Sequence, residues 1–97
     1  MAKFVLIYRG GTRAETPAEQ EAVFAAWTGW LGGLGSSLAD AGGPFGENAS
    51  VGAAPGEQVT GYSIVDVESI GAAKDASATC PILTVGGSVD IYELLAM

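Results

Sequence analysis

The sequence contains no histidine, one cysteine, and only four lysines and arginines against eleven aspartates and glutamates. Zinc favours imidazole and thiolate ligands, so a chain with one Cys and no His cannot assemble a closed site for it; an oxygen-ligand site stays open only in principle, since Glu15, Glu19 and Glu21 at the first helix start are explained by the helix dipole, and no metal or cofactor is expected. The lone Cys80 fits a reducing compartment, where thiols persist without pairing. A formal net charge of −7 repels a phosphate backbone and an anionic bilayer alike, so neither nucleic acid nor membrane is expected as a partner. No apolar run approaches the roughly eighteen residues of a spanning helix. The run Phe4–Tyr8 is ended by Arg9 too early for a signal-peptide core. A cytoplasmic location follows as an expectation, and the sequon Asn48-Ala49-Ser50 then has no secretory route that would use it.

What the chain does have is apolar content: 48% hydrophobic residues and 15% charged ones over 97 positions. That composition excludes a disordered tail and suits one domain with one core, burying about two-thirds of its unfolded surface. So small a domain, with no disulfide framework, gains most simply by burying surface against a second copy of itself.

Lys3–Tyr8, KFVLIY, is rich in β-branched and aromatic residues and apolar on both alternating faces, the pattern of a central strand covered on both sides. After Gly10-Gly11, the run Thr16-Pro17-Ala18-Glu19 is a capping box with Pro17 at the first helical position. Val23, Trp27, Trp30, Leu31 and Leu34 form one stripe on the helix that follows, expected to pack on a sheet. Gly29, Gly32, Gly33 and Gly35 are costly in or near a helix, by about 1 kcal/mol for each interior one. Close approach of another backbone, fraying, or a ligand cavity would each account for them. Leu38–Ala41 is expected to be a short strand ended by Gly42-Gly43-Pro44. Phe45–Gln58 reads as a loop, with Ala49–Ala53 as an optional edge strand. Val59–Val67 alternates as a strand with Tyr62 and Ile64 on one face and Ser63, Val65 and Val67 on the other. Ser69 caps a second helix with Ile70, Ala73, Ala76 and Cys80 inward and Pro81 as its stop, and Ser88–Leu94 is the last strand.

The order is β-α-β, loop, β-α-β: an α+β, ferredoxin-like split β-α-β sandwich in which two helices share one face of an antiparallel sheet. The opposite face must be covered from outside, and a homodimer is the expected cover.

The phrases AKFVLIYRGG, AAWTGWLGGLG, DAGGPFG (Asp40–Gly46), GYSIVDVESI (Gly61–Ile70), ATCPIL and GGSVDIYELLAM, in this order, resemble the YCII-related family over essentially the whole chain, residues 1–97. The resemblance implies a dimeric α/β barrel, related in fold to cofactor-free monooxygenases and small-lactone isomerases. Some members carry a histidine in the first helix that is proposed to act with an acidic residue as an acid/base pair. The corresponding stretch here, Val23–Trp30, VFAAWTGW, holds no titratable group, so their catalysis does not transfer. Asp40, before GGPFG, is either a surviving acidic partner or an exposed strand-end carboxylate.

Four further features carry candidate chemistry. Cys80 lacks an imidazole base and is expected to be a packed thiol rather than a nucleophile. Gly10-Gly11-Thr12-Arg13 precedes a helix and could hold a small anion, but it lacks the lysine and spacing of a P-loop, and loop geometry is the preferred reading. Tyr8, Trp27, Trp30, Phe45, Tyr62 and Tyr92 can line an apolar pocket or fill a core. If Arg9 points into the cleft under the helix, its guanidinium can hold a carboxylate or enolate oxygen while Tyr62 donates a second hydrogen bond; a salt bridge is the competing role. The expected ligand-lining set is Arg9, Trp27, Trp30, Asp40 and Tyr62. The functional expectations are a barrel pocket that binds or transforms a small apolar or aromatic molecule, a non-catalytic dimerising accessory module, or a cofactor-free monooxygenase.

Overall fold

The computed structural model describes residues 2–52 and 58–95. Strand β1 spans Ala2–Arg9, helix α1 Pro17–Leu34, strand β2 Leu38–Pro44, strand β3 Val59–Val67, helix α2 Ile70–Ser77 and strand β4 Ser88–Glu93. The strands form one sheet in the order β2-β3-β1-β4, every neighbouring pair antiparallel, which is the strand order of a ferredoxin-like α+β fold.

Alternation along β1 and β3 decides which side of the sheet becomes core. Phe4 pairs with Val65 and Leu6 with Ser63, while Phe4, Leu6, Tyr8, Ser63, Val65 and Val67 are all buried. Ala73 of α2, Cys80 and Ile82 close over that face. The residues between them, Val5, Ile7, Tyr62 and Ile64, are only half-buried, because no element of the described chain covers their side. β1 is therefore central in the sheet but covered by helices on one face alone.

The cap half of the expected box forms, the Thr16 hydroxyl accepting from the Glu19 N–H at 3.1 Å, but the Glu19 carboxylate accepts at 3.4 Å from the N–H of Glu15, one residue before the cap, instead of from Thr16. Gly35, at φ 56°, ends the helix. The expected packing of its stripe is only partial. Trp27, Trp30, Leu31 and Leu34 are half-buried, Val23 is exposed, and no residue of α1 is buried. A side chain added at Gly29, Gly32 or Gly33 would meet nothing within 4 Å, so no neighbouring backbone among the described residues explains these glycines.

Three element boundaries differ from expectation. β2 runs through Gly42-Gly43 to Pro44 because the pairing with β3 shifts register twice, and Gly42, at φ 66°, brings its backbone so close to the Tyr62 carbonyl that no Cβ fits. On α2 the buried positions are Ala73 and Ser77, whereas Ile70 is exposed in the first turn. The helix stops at Ser77, and Pro81 opens a 3-10 segment, Pro81–Val85, after which β4 ends at Glu93. Residues 49–52 are not a strand, and the remainder of that optional edge strand, Ala53, lies outside the described residues. No helix among the described residues is long and apolar enough to cross a membrane.

Candidate functional site

A cleft of about 890 Å3 opens between α1 and the helix-covered face of the sheet. Its floor is Tyr8, Gly61 and Ser63, its roof Val23, Phe24, Trp27 and Leu31, and one side is the Gly42–Gly46 stretch. The volume falls within the roughly 300–1,000 Å3 of small-molecule sites.

The floor is held by a directed hydrogen-bond chain. The Tyr8 hydroxyl donates to Ser63 Oγ at 2.8 Å, and the Ser63 hydroxyl donates to the Ala41 carbonyl at 2.7 Å, tying β1, β3 and β2 together through side chains. Burial pushes the Tyr8 phenol up from its ordinary 10 to about 12, partly offset by the Ser63 hydrogen bond. Tyr8 is therefore a neutral phenol at physiological pH. Trp27 meets it edge-on, with ring centroids 4.8 Å apart.

The loop from β1 to α1 forms one end of the cleft and is pinned by its backbone. The Gly10 N–H donates to the Gln58 carbonyl at 3.2 Å and the Thr12 N–H to the Val85 carbonyl at 2.9 Å. Gly11, at φ 89°, sits where a Cβ would come within 3.0 Å of Ile82 and 3.2 Å of Val85. Glycine alone suits both the backbone angle and the space. Thr12 and Arg13, delivered by this loop, line the cleft with Gln20 of the first helical turns.

The structure brings together part of the expected site. Trp27 lines the cleft and Tyr62 borders it. Trp30 turns toward α2 instead, donating from Nε1 to the Ala76 carbonyl at 3.3 Å, with its ring 5.8 Å from that of Trp27. Arg9 does not enter the cleft. It follows Tyr8 in an alternating strand, projects from the opposite face, and its Nε donates to Asp90 at 2.5 Å. That hydrogen bond raises the guanidinium pKa further above its ordinary value. Asp40 is exposed and does not line the cleft; it accepts from the Gly42 N–H at 2.8 Å and, at 3.4 Å, from the Tyr62 hydroxyl. The Tyr62 ring stacks on Phe45 at 5.8 Å. Asp40 thus shapes the β2 bulge and orients Tyr62.

Phe24 and Ser63 were not singled out from the sequence. Phe24 lies three residues before Trp27 and seven before Leu31, a helical spacing that places all three on one face. Ser63, polar in an inward register position, signals a buried hydrogen bond.

Cys80 is buried, and burial pushes its thiol up from 9 to about 11, the opposite of an activated nucleophile. Among the described residues no group of three or more His, Cys, Asp or Glu is placed to hold a metal ion. No family model matches the chain, and no curated protein matches it.

Proposed function

We propose that the chain binds a small, mostly apolar molecule with an aromatic or alicyclic body in the cleft beneath α1. The observation that carries this reading is the cleft itself, roofed by Phe24 and Trp27 and floored by Tyr8. Flat apolar walls with hydrogen-bonding tips are the usual lining of such sites. The groups available favour holding a ligand over transforming it by proton transfer. The chain has no histidine, no described lining residue is a carboxylate, and Tyr8 stays protonated near neutral pH. The YCII-like phrases support a barrel relative of this kind, read here as a binding protein.

Thr28 is exposed and lines the cleft, so Thr28→Trp inserts an indole there without disturbing the core. A fragment screen of aromatic and alicyclic acids, amides and lactones, monitored by ligand-observed NMR, is expected to give hits that Thr28→Trp abolishes. Hits indifferent to that substitution, or none, would remove the reading.

The uncovered face of the sheet supports a second element, a homodimer. Val5, Ile7 and Ile64 lie side by side there, half-exposed, with Tyr92 57% exposed beside Val5. Charges of both signs, Lys3 opposite Asp66 and Arg9 paired with Asp90, flank this apolar strip, and Asp66 Oδ1 is buried with no hydrogen-bond partner among the described residues. Such a face is self-complementary for a two-fold interface. Sedimentation at low micromolar concentration is expected to give a dimer for the wild type and a monomer for Ile7→Glu; a wild-type monomer contradicts it.

A further inference from the structure

We infer that Arg13 makes the cleft selective for ligands bearing one negative charge at the end of an apolar body, with the carboxylate of an aromatic or alicyclic acid as the matching chemistry. The inference rests on the cleft being a binding site and adds what that site chooses. Acids outnumber bases eleven to four in the sequence, yet among the described residues lining the cleft the only charged side chain is Arg13. The distribution matters more than the net charge: in an acidic protein, the described lining of this cleft holds no carboxylate and one arginine.

The other arginine, Arg9, is occupied by Asp90 on the far face of the sheet, whereas no carboxylate of the described residues pairs with Arg13. Its planar fork of donors matches a carboxylate, which it can hold through two parallel hydrogen bonds. Thr12 and Gln20 stand at the same end and add neutral donors, while Phe24, Trp27 and Leu31 give the remainder its apolar character. The cleft is thus polar and cationic at the loop end and apolar along the helix, the layout for a ligand with one anionic head.

The anchoring of the loop makes this a built arrangement. Backbone hydrogen bonds hold Gly10 and Thr12, and Gly11 is wedged against Ile82 and Val85, so the residue that follows starts from a fixed backbone. A preorganised loop loses less conformational freedom on binding than a mobile one.

The test compares 2-naphthoate with its neutral amide, 2-naphthamide, by isothermal titration calorimetry against wild type, Arg13→Gln, Arg13→Lys and Thr28→Trp. Wild type is expected to bind the carboxylate at least about tenfold more tightly than the amide, the size expected of one charge-assisted contact. Arg13→Gln should erase that preference while leaving amide affinity within about twofold, and Arg13→Lys should keep part of it. Salt gives an independent readout. With Arg13 gone, the surrounding negative charge opposes the carboxylate, so added salt should strengthen its binding to Arg13→Gln and weaken its binding to wild type. Equal wild-type affinities, or a preference surviving in Arg13→Gln, overturn the inference while binding that Thr28→Trp abolishes keeps the cleft. If neither probe binds wild type, the cleft reading falls and the inference with it.

Discussion

Two helices lie over the same face of one sheet, but only α2 is seated on it. Ala73 and Ser77 are small enough to let α2 lie against the sheet, and Ser77, though polar, satisfies its hydroxyl by donating to the Ala73 carbonyl at 2.8 Å. Its neighbours Leu6, Val65 and Cys80 are almost wholly enclosed. Helix α1, more than twice as long, buries no residue. It rests on two indoles standing edge-on to Tyr8 and leaves the cleft beneath the stretch from Gln20 to Leu31. The α2 side supplies the close packing of the core, whereas the α1 side leaves an open cleft.

Substitutions on the two sides should therefore differ sharply. Leu6→Ala, at a fully buried position, is expected to cost about 2–5 kcal/mol in urea unfolding, while Phe24→Ala, 73% exposed on the roof, should stay within about 0.5 kcal/mol. Equal losses would mean that α1 is as well packed as α2. Gly42→Ala tests the floor from its edge. A Cβ there meets the Tyr62 carbonyl and suffers a positive φ, so a loss of about 1–3 kcal/mol is expected, with weaker amide protection along β2. Thr16→Ala removes the α1 cap and should cost about 1 kcal/mol. Because little packing holds that end, the effect should appear mainly as faster hydrogen exchange in the first turns of α1.

The smallest expected effect near neutral pH comes from Tyr8 and Cys80. Both hold their protons more tightly folded than unfolded, so they leave stability unchanged below about pH 8, a unit under the unfolded thiol's 9. Above it the unfolded state ionises first, Cys80 from 9 and Tyr8 from 10, and stability falls until the folded groups ionise near 11 and 12. Alkaline unfolding should begin earlier for wild type than for a Cys80→Ala, Tyr8→Phe double variant when each is compared with its own stability at pH 7. A parallel decline in both would rule out these groups as its source.

The alternating strands β1 and β3 and both capped helices were legible in the sequence because each is set by local pattern: Val59–Val67 alternates in register, and Thr16 and Ser69 supply the cap hydroxyls. The path of β2 was not, since a glycine bulge depends on how closely a neighbouring strand approaches. The cleft was half legible. Aromatic residues pointed to it, and strand parity alone sends Arg9 away from Tyr8. Which of two tryptophans three residues apart faces the cleft depends on how α1 sits, and that is a tertiary property. Likewise the 3-10 segment after Cys80 reflects Ile82 packing into the core, which the stop signal at Pro81 does not convey.

The most direct test of an open binding cleft under α1 is a 1H–15N NMR titration of the whole chain with 2-naphthoate. Shifts concentrated at Tyr8, Arg13, Phe24 and the Trp27 indole, with Val5, Ile7 and Asp90 on the opposite face unmoved, are the predicted result. Shifts confined to that opposite face, or none at millimolar ligand, would contradict it.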